Sequence, residues 1–295
     1  LDGILVVNKP QGMTSRDVVN RVQRRTGIRK CGHAGTLDPM ATGVLVICLG
    51  RTTRLVRFVQ KMQKIYRAKF RFGYTSDTDD VEGILQSTPS STLPGKVELQ
   101  KALSDFLGDI EQVPPQYSAV KIKGKPAYKL ARAGEKVALE PRTVSIYQFQ
   151  LLQYNPPDWE AIIECGSGTY VRSLGRDLGQ HFGCGAVMAS LCREAIGQFS
   201  LEQSVTLEEL DDRRWEKHLL PARNAAANLI QFQCDAKQTE DIRHGRPLPL
   251  EALDNNSSLE NGEEIAILDP QGELLAVAET NQSLQLIKPR IVLTG

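Results

Sequence analysis

Lys64–Phe72 restricts the chain more than any other stretch, because its side chains alternate in kind without a break. Tyr66, Ala68, Phe70 and Phe72 share one parity, and Arg67, Lys69 and Arg71 share the other. A period of two puts the two sets on opposite faces of a β-strand. Such a strand belongs to a sheet that is packed on one face and wet on the other, which rules out an all-helical fold. Residues 4–7 and 43–49 are unbroken apolar runs and read as buried strands, and residues 144–153, 159–165 and 186–193 as further strands. Helices are expected over residues 15–25, 52–62, 97–107 and 171–182, the first with Thr14 or Ser15 as N-cap and Gly27 beyond its end. Strands interleaved with helices, without a strict βαβ repeat, predict an α+β fold with a mixed or antiparallel sheet.

Later segments differ in character. Thr206 and Glu209 have capping-box spacing and should open a last helix of the main unit. From residue 228 onward come short strand-like runs at 265–268, 274–278, 284–287 and 291–293. Turns at Asp269-Pro270-Gln271-Gly272 and Asn255-Asn256-Ser257-Ser258 punctuate them, which predicts a small β-barrel. The expected domains are therefore 1–227 and 228–295. Within the first, residues 86–95 read as a surface loop and residues 114–142 as an inserted basic arm. The arm carries Tyr117, Lys121, Lys123, Lys125, Tyr128, Lys129, Arg132, Lys136 and Arg142 against Glu135 and Glu140.

The net charge of +1 conceals an asymmetry. Arg51, Arg54, Arg57, Lys61, Lys64, Arg67, Lys69 and Arg71 follow one another with no acid between them, whereas residues 251–279 contain acids and no lysine or arginine. A polyanion is expected on the first part only. No apolar run approaches the roughly 20 residues of a membrane helix. The chain opens on a strand-like run without a signal-peptide pattern, so a soluble, cytoplasmic protein is expected. Cys31, Cys48, Cys165, Cys184, Cys192 and Cys234 are scattered and lack Cys-x-x-Cys pairing, which predicts thiols without metal or disulfide.

The most unusual local sequence is Gly32-His33-Ala34-Gly35-Thr36-Leu37-Asp38-Pro39-Met40-Ala41-Thr42-Gly43. It is a glycine-rich loop with one carboxylate, set before a buried strand, and it lacks the spacing of a phosphate-binding loop. Read alone, it is either a reactive loop on a rigid scaffold or a tight connection in which Asp38 caps a turn. Gly168-Thr169-Tyr170-Val171-Arg172 brings an aromatic ring and a guanidinium to a helix start, and alone reads as a core tyrosine with a surface arginine. Lys9 before Pro10 reads by itself as a solvated lysine.

Together these blocks resemble the bacterial tRNA pseudouridine synthase B (TruB) family. Its loop reads Gly-His-x-Gly-x-Leu-Asp-Pro-x-Ala-x-Gly, matched here from Gly32 to Gly43 without a departure. Asn8-Lys9-Pro10-Gln11-Gly12, Lys64-Ile65-Tyr66-Arg67, the aspartates between Thr75 and Gly83, Gly168 to Arg172, and Asp177-Leu178-Gly179 follow in order. The resemblance covers the whole chain. It implies a pseudouridine-synthase catalytic domain followed by a PUA-like RNA-binding domain, and isomerisation of the uridine at position 55 in the tRNA T loop.

By that resemblance Asp38 is the catalytic aspartate, Arg172 pairs with it and keeps it ionised, and Tyr66 stacks on the uracil. Tyr170 and Leu191 wall the uracil pocket, His33 contacts nucleotides displaced as the base leaves its stack, and Lys9 belongs to the substrate-binding set. No cofactor and no metal are implied. The arm at 114–142 grips the RNA stem by shape, and the acidity of the tail argues against a large phosphate-binding role there. A monomer acting on tRNA is expected. Three other readings compete: a guide-RNA-dependent pseudouridine synthase, a non-catalytic tRNA-binding or chaperone protein, and a glycosidase drawing a second acid from Asp77, Asp79 or Asp80.

Overall fold

The computed structural model describes residues 1–88, 92–118, 120–122, 124–134, 138–211, 214–253 and 259–293. Its centre is a nine-stranded mixed sheet. We label its main strands β1 (Gly3–Lys9), β2 (Cys31–His33), β3 (Thr42–Leu49), β4 (Lys64–Phe72), β5 (Gly108–Gln112), β6 (Arg142–Asn155), β7 (Asp158–Cys165) and β8 (Ala186–Ile196). They run in the order β1-β3-β8-β4-β7-β6-β5, with β2 on β3 and a two-residue strand at Phe199–Ser200 on β8. Every pairing is antiparallel except β8 with β3, where Cys192 faces Thr42 and Arg193 faces Gly43.

The two kinds of apolar pattern are explained by what covers each strand. β1 and β3 are buried on both faces. Leu5, Val7, Leu45 and Ile47 pack against Val18, Val19 and Val22 of helix α1 (Ser15–Thr26), while Ile4, Val6, Val44 and Val46 face a second cluster. Unbroken apolar runs are what such strands require. β4 is covered on one face only: Tyr66, Ala68, Phe70 and Phe72 are buried, and Arg67, Lys69 and Arg71 are exposed, as the alternation predicts. Phe70 stacks on Trp159 of β7 with ring centroids 4.3 Å apart.

Helix boundaries follow the capping chemistry. Of the two candidate N-caps, Thr14 caps α1, its Oγ1 accepting from Asp17 N at 3.1 Å while Asp17 Oδ2 accepts from Thr14 N at 3.0 Å. The helix expected at 52–62 is instead a 3-10 stretch, Gly50–Leu55, running into the short α2 (Val56–Lys61); its glycine and paired threonines are weak helix formers. Helix α3 (Lys96–Ser104) follows, then a small hairpin (Lys121–Ile122 with Lys125–Pro126) and α4 (Ala127–Arg132) within the basic arm, and then α5 (Val171–His181). Residues 119, 123 and 135–137 of the arm, 89–91 of the loop before α3, and the turn at Asn255-Asn256-Ser257-Ser258 lie outside the described residues. The Thr206 capping box opens only one turn, α6 (Leu207–Leu210).

The last part forms a separate five-stranded sheet. Its strands β9 (Ile230–Gln233), β10 (Leu248–Pro249), β11 (Glu264–Leu268), β12 (Leu274–Asn281) and β13 (Leu286–Val292) are ordered β9-β11-β12-β13-β10, with helix α7 (Ala236–Arg243) beside them. Two of the expected runs, 284–287 and 291–293, are replaced by the single strand β13. Among the described residues no helix is long and apolar enough to cross a membrane. All six cysteines are free.

Folding brings acids to part of the cationic run. Arg51 pairs with Asp2 at 2.7 Å, Arg67 with Glu194 at 2.6 Å and Arg71 with Asp158 at 2.6 Å. Arg57 pairs with Glu264 of β11, and Lys61 lies 3.7 Å from the same carboxylate. Five of the eight cations of the run, Arg51, Arg57, Lys61, Arg67 and Arg71, thus meet acids from elsewhere in the chain while staying partly exposed.

Candidate active site

The loop of residues 34–41 joins β2 to β3 and carries Asp38 at its turn. Four elements pin it. Ser15, freed from capping, uses its hydroxyl on Leu37, accepting from Leu37 N at 2.9 Å and donating to Leu37 O at 3.2 Å. Gly12 N donates to Pro39 O at 2.8 Å. Lys9 Nζ donates to Pro10 O at 2.9 Å, Met13 O at 2.6 Å and Pro39 O at 3.2 Å. Arg193 of β8 donates to Gly35 O at 3.0 Å, Thr36 O at 3.4 Å and Val44 O at 2.8 Å.

Asp38 opens into a cavity of about 550 Å³ between this loop, β4, β8 and the start of α5. Tyr66, Tyr170, Arg172 and Leu191 line it, with Tyr117 and Ser118 of the basic arm on one side. Arg172 sits in the first turn of α5, and its guanidinium lies along the Asp38 carboxylate, Nε 3.0 Å from Oδ2 and Nη2 3.3 Å from Oδ1. Its remaining donors go to Thr78 O at 2.8 Å and Tyr117 O at 3.1 Å, and Asp80 Oδ2 stands 3.5 Å from Nη1. Tyr170 is fixed through its backbone by the buried Gln112 of β5, which accepts from Tyr170 N at 2.8 Å and donates to Tyr170 O at 3.1 Å.

Four of the seven expected site residues, Asp38, Tyr66, Tyr170 and Arg172, therefore converge with Leu191, a fifth, on one cavity. The other two do not line it. His33 is on β2, with Nδ1 buried and without a hydrogen-bond partner, and burial and Arg193 hold its imidazole below the usual range. Lys9 is fully buried, and backbone carbonyls take its ammonium, so its geometry is that of a brace for the loop rather than a surface for substrate. Burial pushes Lys9 down to about 8.

The electrostatics differ from the expectation that Arg172 simply keeps Asp38 ionised. Burial raises the Asp38 carboxyl and outweighs Arg172, which lowers it; Asp80 adds to the rise and Lys9 opposes it. Burial also raises the Tyr66 and Tyr170 phenols. Among the described residues Asp38 is the only acid lining the cavity, against Arg57, Lys61, Lys64, Arg172 and Arg193. Asp80 is buried, with its Oδ1 engaged by Thr78 Oγ1 at 2.5 Å and Glu82 N at 3.0 Å, Asp79 is held by Arg176 at 2.9 Å, and Asp77 accepts from Ile84 N at 2.7 Å. None supplies the second facing acid a glycosidase would use. No group of three His, Cys, Asp or Glu side chains among the described residues is arranged to hold a metal ion.

Sequence reasoning missed Arg193, Gln112 and Lys64. Arg193 and Gln112 lie in no motif, and Lys64 opens the Lys64-Ile65-Tyr66-Arg67 block without a role of its own assigned there. The one signal for Arg193 is the pair of glycines it contacts: Gly35 and Gly43 have φ of +103° and +99°, and a Cβ on Gly43 would collide with the Arg193 backbone.

Residues 23–171 match the family model for TruB family pseudouridylate synthase (N terminal domain), and residues 172–231 match that for tRNA pseudouridylate synthase B C-terminal domain. The tRNA pseudouridine synthase B of Dehalococcoides mccartyi (strain CBDB1) is 40% identical over 283 residues, 95% of this chain and 92% of that protein. That of Burkholderia pseudomallei (strain 668) is 37% identical over 298 residues, 100% of this chain and 98% of that protein. Among solved structures, a chain of a Cbf5-Nop10-Gar1 complex superposes with a TM-score of 0.78 at 24% identity, over 98% of this chain and 84% of that one, which shows a shared fold. Sequence and fold agree, and the chain belongs to the TruB family of pseudouridylate synthases.

Proposed function

We propose that this chain isomerises a uridine of tRNA to pseudouridine, at position 55 of the T loop, with Asp38 as the catalytic carboxylate. The observation that carries the reading is the Asp38–Arg172 pair in a cavity walled by Tyr66, Tyr170 and Leu191, in a chain that aligns over nearly its full length with proteins named tRNA pseudouridine synthase B. The reaction breaks the bond from ribose C1′ to uracil N1, turns the base and joins C1′ to C5. The C5 hydrogen leaves as a proton and N1 takes one up, so no atom and no electron is gained or lost overall. An ionised carboxylate can serve as the nucleophile that permits the exchange, and the two-point contact with Arg172 aims it. Tyr66 supplies a face for the uracil to stack on, and Tyr170 and Leu191 close the remaining walls.

A uridine in a folded loop must leave its stack, at a cost of about a few kcal/mol. We assign His33, on β2, to contacts with the nucleotides that this displaces. Lys9 acts by holding Pro39, the neighbour of Asp38, rather than by touching RNA. We assign residues 1–227 to the catalytic domain, 114–142 to an arm that grips the stem, and 228–295 to a PUA-like domain that adds shape or a few RNA contacts. The protein acts in the cytoplasm as a monomer, without metal or cofactor. The guide-RNA-dependent reading shares the fold, but the basic arm and the 37–40% identity to proteins named tRNA pseudouridine synthase B favour independent action.

The test is incubation of purified protein and EDTA with an unmodified tRNA transcript, followed by carbodiimide mapping of pseudouridine. A T-loop stop that is absent with Asp38→Ala is expected. Absence of the stop from a folded protein that still binds the tRNA refutes stand-alone catalysis.

A further inference from the structure

Arg193 is buried to 1% exposure beside the cavity, and the fold is bent around it. β8 meets β3 in parallel only at Cys192–Arg193, the one point where a long strand from the centre of the sheet reaches the Asp38 loop. A register shift in β8 follows Arg193 directly, and such a bulge re-aims the side chain next to it. Gly35 and Gly43, on either side of Asp38, both adopt φ values that favour glycine where they approach Arg193. On its other side Arg193 is the cross-strand partner of Tyr66, so the two side chains share one face of the sheet, and its charge opposes the rise that burial gives the Tyr66 phenol.

The charge itself calls for a reason. Arg193 donates to three backbone carbonyls, and among the described residues it has no carboxylate partner. Its neighbour Lys64 is also buried and gives its ammonium to the carbonyls of Gln60 and Met62. Burial and the Arg193 charge together push Lys64 down to about 8. Two buried cations without an acid are costly to the fold. A neutral donor could brace the loop without that cost. What the charge adds is a fixed positive potential under the Tyr66 hydroxyl and behind Asp38, which favours negative charge developing in the cavity.

We propose that Arg193 is a positioning residue for the isomerisation, one that locks the Asp38 loop, sets a fixed charge beside Tyr66 and acts on the chemical step rather than on tRNA binding. The inference rests on the reading of this cavity as the uridine site.

Arg193→Met, Arg193→Lys and Tyr66→Phe are compared in single-turnover reactions with excess enzyme over unmodified tRNA transcript, and tRNA dissociation constants are measured alongside by filter binding. Arg193→Met is expected to slow the reaction about 100-fold while the dissociation constant stays within about threefold. Arg193→Lys, which keeps the charge, recovers at least about tenfold of that loss. In a Tyr66→Phe background the Arg193→Lys substitution costs less than in the parent, because the phenol that the guanidinium stands beside is gone. A rate for Arg193→Met near that of the wild type, a loss traced wholly to weaker tRNA binding, or an equal loss in both backgrounds overturns the inference. If Arg193→Met does not fold, Arg193→Lys in the two backgrounds decides the matter. An inactive wild type would overturn the activity reading, and this inference with it, whereas an active wild type indifferent to Arg193 overturns this inference alone.

Discussion

Arg172 contacts both oxygens of Asp38, yet the Asp38 carboxyl titrates above its ordinary range, because burial outweighs the ion pair and the nearby Asp80 adds to the effect. Two pH dependences follow. With Asp38 as the catalytic carboxylate proposed above, the reaction needs its ionised form, so the rate should fall with acidification at a higher pH than an ordinary aspartate, near about 4, would give. The stability effect runs the other way. Between the ordinary and the raised value, the folded protein holds a proton that the unfolded chain releases, so stability falls as pH rises through that window. Asp38→Asn removes the titration. Its melting temperature, relative to the wild type, should climb with pH across the window and stay higher at neutral pH, while activity drops by about 10³-fold or more. Thermal scans from pH 4 to 8 check this, and a variant that loses ground as pH rises would mean that Arg172 dominates after all.

Lys9 holds Pro39 O, one residue beyond Asp38, at 3.2 Å from its ammonium, and its charge also opposes the rise that burial gives the Asp38 carboxyl. Lys9→Met should leave tRNA affinity within about threefold and lower the catalytic rate, because the loop loses its anchor but no surface that faces RNA. Three carbonyls lose a donor, which should destabilise the fold by about 1–3 kcal/mol. The wild-type lysine titrates at about 8 when folded and at the usual 10.5 when unfolded. Between those values the unfolded chain binds the proton that the folded protein has released, so the wild type's stability relative to the variant should rise with pH. Denaturant titrations at pH 7 and pH 10 measure the difference. An unchanged gap would show that Lys9 does not titrate within that window.

Local periodicity carried the sequence reading a long way, and long-range pairing limited it. The alternation in β4, the two-sided burial of β1 and β3, and the Asp38 loop before β3 were all legible because each is written in contiguous residues. Lys64 was not, although it shares the parity of Tyr66, because a lysine at a strand end reads as solvated until the carbonyls of Gln60 and Met62 are seen to take its ammonium. Gln112 and Arg193 act across 58 and about 150 residues of chain, and no local pattern marks them. The strand β13 was split in two at Pro289, which ordinarily breaks a ladder. The strand tolerates it because β10 pairs only with Leu286 and Ile287, leaving that edge open at Pro289. Helix α7 did carry a signal: Asp235 and Gln238 form a reciprocal capping box that the surrounding turn residues obscured.

Glu264 shows how the charge of the tail is used. It neutralises Arg57 and Lys61, both of which line the cavity. These pairs are partly exposed, so they add little to stability, about 1 kcal/mol or less. They also leave two cations screened from RNA. Glu264→Gln should tighten tRNA binding about two- to fivefold at low salt and steepen its salt dependence, since each added phosphate contact contributes about one counterion. Filter binding across a salt series checks both, and an unchanged slope would mean that Arg57 and Lys61 do not face the phosphate backbone.

The C-terminal sheet is joined to the catalytic sheet by a common core rather than by a linker. Leu55, Phe58, Val59 and Met62 of the segment after β3 pack in one cluster with Ala225 and Ala226 and with Ala266, Leu274, Val277, Ile291 and Leu293 of the C-terminal sheet. Arg54 donates to Val292 O at 2.7 Å and Arg223 to Gly272 O at 3.1 Å across the same boundary. A core shared in this way couples the stability of the two parts. Phe58 is 5% exposed and sits in the middle of that cluster, so Phe58→Ala should cost about 3–5 kcal/mol. The loss should appear as a lower midpoint of one cooperative transition, and removal of residues 228–295 should leave a remainder that aggregates on expression. Calorimetry resolving two transitions, with Phe58→Ala moving only one of them, would mean that the two sheets fold independently despite their contact.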